Sequence, residues 1–285
     1  MELIFLFFLI LLFLSIGSFS SVVIYRLILM EFTDAKLNLF TPRSHCPECK
    51  KSISLINLIP LFGFLIQQGK CINCKVAISY KYPLHEVVHL VAGLSIYFLF
   101  NINLFSILIY ILFSIFYILF ICDIEKFYIP FYLNLSISII GLSTAYYGNI
   151  FNIDTFNILR TSQFELSLYG FIVGYSVLWL INFCFKFLKK QDGIGGGDFL
   201  LLGGIGSLVG PISLGPVIFI GSLSTLFLGL IGKYDLKEEL PLGSGFIIGL
   251  LIYLLIKFFE LSLFGWVLEI RPLNILFKFK NPLGR

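Results

Sequence analysis

The sequence predicts an all-α integral membrane protein of about eight transmembrane helices with one small water-exposed loop domain. Three observations carry that prediction. Of 285 residues, 58% are hydrophobic and 13% charged, with a mean hydropathy of +0.98, whereas a soluble domain needs far more polar surface. Apolar runs free of charge recur at lengths that match a hydrocarbon core of roughly 30 Å. A single long polar stretch, Arg26 to Pro83, interrupts them near the start. The net charge of +4 is spread over short loops, which is a pattern of membrane topology and not of nucleic-acid binding.

The first run, Leu3 to Tyr25, carries no charge. A cleaved signal peptide is the competing reading, but Glu2 precedes the run, the run is long, and no small-x-small site closes it. Residues 1–25 are therefore expected as a first membrane helix and 26–83 as a loop domain. Residues 84–264 are expected to hold seven further spans and 265–285 to be a tail. Val87 to Cys122 has no Asp, Glu, Lys or Arg over 36 residues, about 54 Å as one helix. It must be two spans, and Asn101-Ile102-Asn103 is the natural turn. Further spans read as Ile129 to Tyr147, Leu166 to Leu188, Phe199 to Leu208, Pro211 to Ile231 and Gly243 to Phe258. Phe199 to Leu208 is short and preceded by glycines, which suits a broken or re-entrant element.

Basic residues set the orientation. Arg26 to Pro83 holds eight basic residues against three acidic, Lys126 follows the third span, and Lys186, Lys189 and Lys190 precede the glycines. With eight spans and the amino terminus outside, all three loops face the cytoplasm. Arg271, Lys278, Lys280 and Arg285 would then lie outside, unless Phe258 to Ile270 lies along the interface.

The loop carries Cys46-Pro47-Glu48-Cys49 and, 21 residues on, Cys71-Ile72-Asn73-Cys74. Two thiolates on a tight turn make half of a tetrahedral site, and two such turns close it with four sulfurs, leaving no position for water. That chemistry is a structural zinc site, with Lys50, Lys70 and Lys75 offsetting the thiolate charge. Two disulfides are the other reading, which a reducing cytoplasm disfavours. With four thiolates filling the site, His45 reads as solvent-facing. Cys122 and Cys184 read as small buried hydrophobes.

Two aspartates stand at the edges of apolar runs. Asp123 ends the third span, and Asp198 follows Gly193-Ile194-Gly195-Gly196-Gly197. Carboxyl groups at the hydrocarbon edge are costly and mark function. Two of them brought together share one proton, and the pair can deprotonate a water and protonate a leaving amine. Glycines beside Asp198 let a substrate backbone approach. The bland reading makes each aspartate an interfacial cap, Asp198 at a helix N-terminus, and on these two residues alone that reading is the favoured one. Glu125, Asp192, Asp235, Glu238 and Glu239 read as solvated loop charges. His85 and His89 read as packing or bridging groups, and Glu86 stands at the same boundary.

In order along the chain, the motifs together resemble the prepilin peptidase family, the bifunctional type 4 leader peptidases and N-methyltransferases. They begin with Gly17-Ser18-Phe19 and Val22-Val23-Ile24-Tyr25-Arg26-Leu27. The loop adds Ser44 to Cys49, Asn57-Leu58-Ile59-Pro60, Gly69 to Cys74, and Ile78-Ser79 through Tyr82-Pro83-Leu84 to Glu86. Asp123 with Ile129-Pro130, Gly195-Gly196-Gly197-Asp198 as the GxGD motif, and Pro241-Leu242-Gly243-Ser244 complete the set. Four positions depart from the family pattern. Ser21 stands where Asn is frequent, Phe131 where Asp is, Leu200 where Lys is, and Ser244 where Pro is.

The resemblance implies an aspartic endopeptidase of the bacterial inner membrane, with Asp123 and Asp198 catalytic. Gly195, Gly197, Gly69, Glu86 and Pro130 would be substrate-binding or motif residues, and Cys46, Cys49, Cys71 and Cys74 the zinc ligands. Its substrates would be type IV prepilins or type II secretion pseudopilins, cut after Gly and before a residue that is often Phe. The new amine would be methylated with S-adenosylmethionine, and because relatives lacking the four cysteines are peptidases only, the intact loop favours that second activity. No nucleic-acid partner is implied. Two other readings stay open on the sequence: a transporter or channel with a structural zinc loop, and a presenilin-like intramembrane peptidase without methyltransferase activity.

Overall fold

Every predicted apolar run is helical in the computed structural model, which describes residues 2–33, 38–39, 41, 43–147, 161–232 and 240–268, with side chains from Leu3 to Phe259. Asp235, Glu238, Glu239 and the basic tail lie outside the described residues. The helices are α1 Glu2–Phe32, α2 Phe62–Ile66, α3 Lys81–Phe100, α4 Leu104–Lys126, α5 Phe131–Tyr147, α6 Gln163–Lys189, α7 Gly196–Val209, α8 Leu214–Gly232 and α9 Leu242–Leu268. Two isolated β-bridges are the sole extended pairings among the described residues. Among the described residues, six helices (α1, α3, α4, α6, α8 and α9) are long and apolar enough to cross a membrane. The count of eight is not reached on that criterion, because α5 and α7 have 17 and 14 residues, about 26 and 21 Å.

Two boundaries differ from expectation for a stated reason. The first helix continues past Tyr25 to Phe32, so Arg26 is a helical residue, not the first of a loop. It is buried, and its Nη1 donates to the Asn38 carbonyl at 2.8 Å. The last helix runs without a break through the segment expected at the interface, as far as Leu268. The predicted turn at Asn101 is present. Asn101 takes a left-handed φ of 55°, and the Asn103 side chain accepts the Ser106 N–H at 2.8 Å to start α4.

The chain divides into two compact units, Met1–Cys122 and Asp123–Arg285. In the first, α1 lies against α3 so closely that a methyl at Gly17 would come within 2.7 Å of the Glu86 Cα. Leu9, Phe13 and Tyr110 form its core. A polar chain ties the helices together within apolar surroundings, where such bonds are retained because their alternative is an unpaired group. The Ser20 hydroxyl meets His89 Nε2 at 3.0 Å, His89 Nδ1 meets the His85 carbonyl at 2.9 Å, and His85 Nδ1 meets the Tyr117 hydroxyl at 2.6 Å. His85 and His89 therefore bridge and pack, as read from the sequence.

In the second unit α7 is buried from Phe199 to Val209 apart from Leu200. A helix apolar all round belongs inside protein, so its short length carries no mismatch with lipid. Small residues let its neighbours close on it: a Cβ on Gly170 of α6 would collide with the Gly206 carbonyl, and one on Gly141 of α5 with the Ser207 hydroxyl. Ser162 and Glu165 form a capping box at the start of α6. Cys122 is buried as expected, but Cys184 is exposed on α6, a surface position a small apolar group tolerates in lipid.

Candidate active site and metal centre

Asp123 lies in the last turn of α4 and is 4% exposed. Its Oδ2 accepts two hydrogen bonds from one residue, the Ser244 N–H at 2.6 Å and the Ser244 hydroxyl at 2.7 Å. Asp198 stands in the first turn of α7, where Gly195 is the N-cap and no side chain caps the helix. The cap reading of Asp198 is therefore not realised. Its Oδ1 is fully enclosed and has no hydrogen-bond partner among the described residues, a state that buried polar atoms rarely show away from sites of chemistry.

The two carboxylates converge on Gly243. A side chain begun at that position would lie 3.3 Å from Asp123 Oδ2 and 3.3 Å from Asp198 Oδ1. Gly243 keeps that space open, and Gly195 keeps open the space beside Asp198 Oδ2, 3.3 Å from where its own Cβ would be. Gly197 does a different task. It packs against Ile129, whose Cβ would be 3.0 Å from a methyl there, and its carbonyl accepts the Asn134 side-chain N–H at 2.8 Å. Pro130 precedes α5, accepts the Asn134 N–H at 3.0 Å, and so starts the helix that holds Gly197.

Several residues that organise the site were not singled out from the sequence. Asn182 of α6 accepts the N–H groups of Gly193 at 2.8 Å and Ile194 at 3.1 Å, and donates to Asp192 at 3.0 Å. Asp192 also pairs with Lys186 at 2.9 Å, and these two contacts hold its carboxyl below the usual range. An aspartate read as a solvated charge thus braces the turn that delivers Asp198. Nothing in a lone Asn within an apolar helix signals a partner 11 residues away. Ser244 was visible only as a departure. A proline in its place would have neither an amide N–H nor a hydroxyl for Asp123.

The four loop cysteines come together. Their sulfurs lie within 4.8 Å of one another, and none forms a disulfide. A tetrahedron of sulfurs at about 2.3 Å from an ion has edges of about 3.8 Å, which is the Cys46–Cys74 Sγ distance of 3.8 Å. The two halves are the same turn made twice. Cys46 N–H bonds the Lys51 carbonyl and Lys50 N–H the Cys46 carbonyl, while Cys71 and Lys75 bond Val76 and Cys71 likewise. Lys50 and Lys75 close these turns in the left-handed region, at φ 57° and 61°. N–H groups of Cys74 and Asn73 hold the Cys71 thiol below the usual range, at about 6. The Val76 N–H lowers Cys74, but desolvation and the neighbouring sulfurs outweigh it and push that thiol to about 11. Binding a cation would displace the remaining protons. The donor set fits a metal ion.

Gly69 takes a left-handed φ of 66° two residues before Cys71, where a Cβ would meet the Phe64 ring at 3.2 Å. Its role is the turn. His45 is half-buried and bonded to the Arg43 carbonyl at 3.0 Å, so it does not face solvent freely. Glu86 is 7% exposed on α3 and accepts the Leu61 N–H at 2.7 Å.

Comparison with known proteins matches residues 11–100 to the Bacterial Peptidase A24 N-terminal domain and residues 110–230 to the Type IV leader peptidase family. A Prepilin leader peptidase/N-methyltransferase of Pectobacterium carotovorum is 32% identical over 252 residues, covering 81% of this chain and 85% of the relative. One of Neisseria gonorrhoeae is 31% identical over 266 residues, covering 82% and 86%. One of Aeromonas hydrophila is 29% identical over 252 residues, covering 81% and 83%. No solved structure matches the chain.

Proposed function

Because the chain belongs to the type IV leader peptidase family, we propose that it removes the leader from type IV prepilins or type II secretion pseudopilins and then methylates the amine it frees. The observation that carries the peptidase reading is the convergence of Asp123 and Asp198 on the open space at Gly243. Two carboxyl groups this close share one proton. The ionised partner takes a proton from water, whose oxygen attacks the carbonyl carbon of the bond after Gly. The protonated partner gives its proton to the leaving nitrogen as the C–N bond breaks. Asp123 Oδ2 already accepts two hydrogen bonds, so it is the oriented member, and the unpartnered Oδ1 of Asp198 exchanges the proton with substrate.

Cys46, Cys49, Cys71 and Cys74 hold a structural zinc ion that fixes the loop between α1 and α3, while the later helices carry the peptidase aspartates. The loop and the aspartates act at the cytoplasmic face of the inner membrane. When bound, S-adenosylmethionine supplies an electrophilic methyl group on a sulfonium. The freed amine must reach it deprotonated. Its lone pair forms the new C–N bond, the C–S pair stays on sulfur, and the product nitrogen leaves as an ammonium. The relatives' names support peptidase and methyltransferase activities in one chain and give no support to a transporter.

The test is mass spectrometry of a prepilin incubated with the purified protein and S-adenosylmethionine. Asp123→Asn and Asp198→Asn should each abolish cleavage while the protein stays folded and inserted, since Asn keeps the shape but cannot take the proton. Substantial turnover by Asp198→Asn would sink the assignment. Cleavage inside the substrate helix, and not at its leader, would favour a presenilin-like activity.

A further inference from the structure

A cavity of about 710 Å³ lies inside the first unit, walled by the end of α1, both cysteine turns and the start of α3. That volume is in the range of sites for small molecules and cofactors, roughly 300–1,000 Å³. Glu86 and Arg26 both line it and both are buried, at 7% and 6% exposure. The hydrogen bond to the Glu86 carboxylate comes from a neutral donor, the Leu61 N–H at 2.7 Å, and Ser18 lines the same cavity. A buried carboxylate is costly unless a positive charge meets it.

The arrangement around Glu86 is built. Leu61 takes φ 59° and ψ −49°, where a side chain is strained, and from there its N–H reaches the carboxylate. Strain of this kind persists where the surroundings over-determine it, typically around a ligand. Gly17 lets the α1 backbone close on Glu86, which brings Ser18 alongside. Aromatic rings complete the wall, Tyr25, Phe64 and Tyr82.

We propose that this cavity is the methyl-donor site, with Glu86 as the counter-charge to the donor sulfonium; this rests on the methyltransferase reading above. S-adenosylmethionine carries one group for each feature. Its sulfonium meets Glu86, its carboxylate meets the Arg26 charge, and its adenine stacks on the aromatic wall. A cation without an adenine would leave the rings and most of the volume unused.

The experiment is calorimetric titration of the purified full-length protein in detergent with S-adenosylmethionine and with S-adenosylhomocysteine, its neutral thioether. Glu86→Gln keeps the size of the side chain and an acceptor for Leu61 but removes the charge. It should weaken S-adenosylmethionine binding by about tenfold or more while shifting S-adenosylhomocysteine far less. Val22→Trp, which fills the cavity from α1, should abolish binding of both. Equal losses for the two ligands in Glu86→Gln would overturn the sulfonium contact. Undiminished binding in Val22→Trp would overturn the site. Gel filtration and thermal melting establish that each variant is folded, and if Val22→Trp is not, the two-ligand comparison in Glu86→Gln decides. A wild-type protein that cleaves a prepilin but neither methylates it nor binds either ligand would instead refute the methyltransferase reading itself.

Discussion

Ser244 turns both its N–H and its hydroxyl onto one oxygen of Asp123, and its neighbour Gly243 leaves the space between the two carboxylates open. Gly243→Ala tests that space. The added methyl would sit 3.3 Å from each carboxylate and 2.6 Å from Ile129 Cδ1, the flexible end of a side chain that can turn away. The protein should fold, and cleavage should fall at least about tenfold because the methyl occupies the position of the reacting atoms. Full activity would mean that the reaction occurs elsewhere. Asn182 works at a distance, through the turn that carries Asp198. Asn182→Ala removes the acceptor of two N–H groups and the donor to Asp192. It should lower kcat by about tenfold with a smaller change in KM, since misplacing a catalytic group by about 1 Å can cost up to a hundredfold. Equal effects on Asn182→Ala and on a surface control would leave Asn182 no positioning role.

At the scale of elements, α7 is held by backbone approaches that only small residues permit. A Cβ on Gly206 would run into the Gly170 carbonyl, so Gly206→Val must push α6 and α7 apart. Overpacking of this kind costs about 1–3 kcal/mol or more, read as a lowered Tm in detergent together with reduced cleavage, because Asp198 begins the same helix. The cysteine turns form a separate element with a separate consequence. Cys71→Ser with Cys74→Ser removes half of the thiolates and should leave the loop unable to hold its ion. Methylation of mature pilin should then drop more than leader removal, measured on one substrate by mass spectrometry. Poor cleavage with full methylation of whatever is cut would instead make the loop a substrate dock.

For the whole molecule, the expected metal content is one zinc per chain, with four sulfurs at about 2.3 Å by X-ray absorption. Folding of so small a loop is coupled to its metal. A strong chelator should therefore make residues 43–80 sensitive to protease while the membrane helices stay protected. A metal-free protein whose loop resists protease equally well would remove zinc from its structural role.

The membrane class, the apolar helices and the four-cysteine cluster were legible in the sequence because each rests on a local signal, whereas the two aspartates stood out as a candidate pair only through the ordered motifs around them. Charge-free length reports solvent, C-x2-C reports a thiolate turn, and an acidic residue at the hydrocarbon edge reports a cost that needs a reason. Span count was not legible in the same way, since α5 and α7 read like membrane runs whether lipid or protein surrounds them, and only packing shows that α7 is enclosed. Nor could the sequence say that Asp198 is no helix cap, that the exposed Asp192 also braces a turn through Asn182 and Lys186, or that Arg26 still belongs to α1. Bonds between residues 121 positions apart, as between Asp123 and Ser244, leave no periodic trace in the chain. By itself the sequence determined which residues could do chemistry; the tertiary structure alone decided which groups face each other, because contact depends on where the helices cross and not on their order.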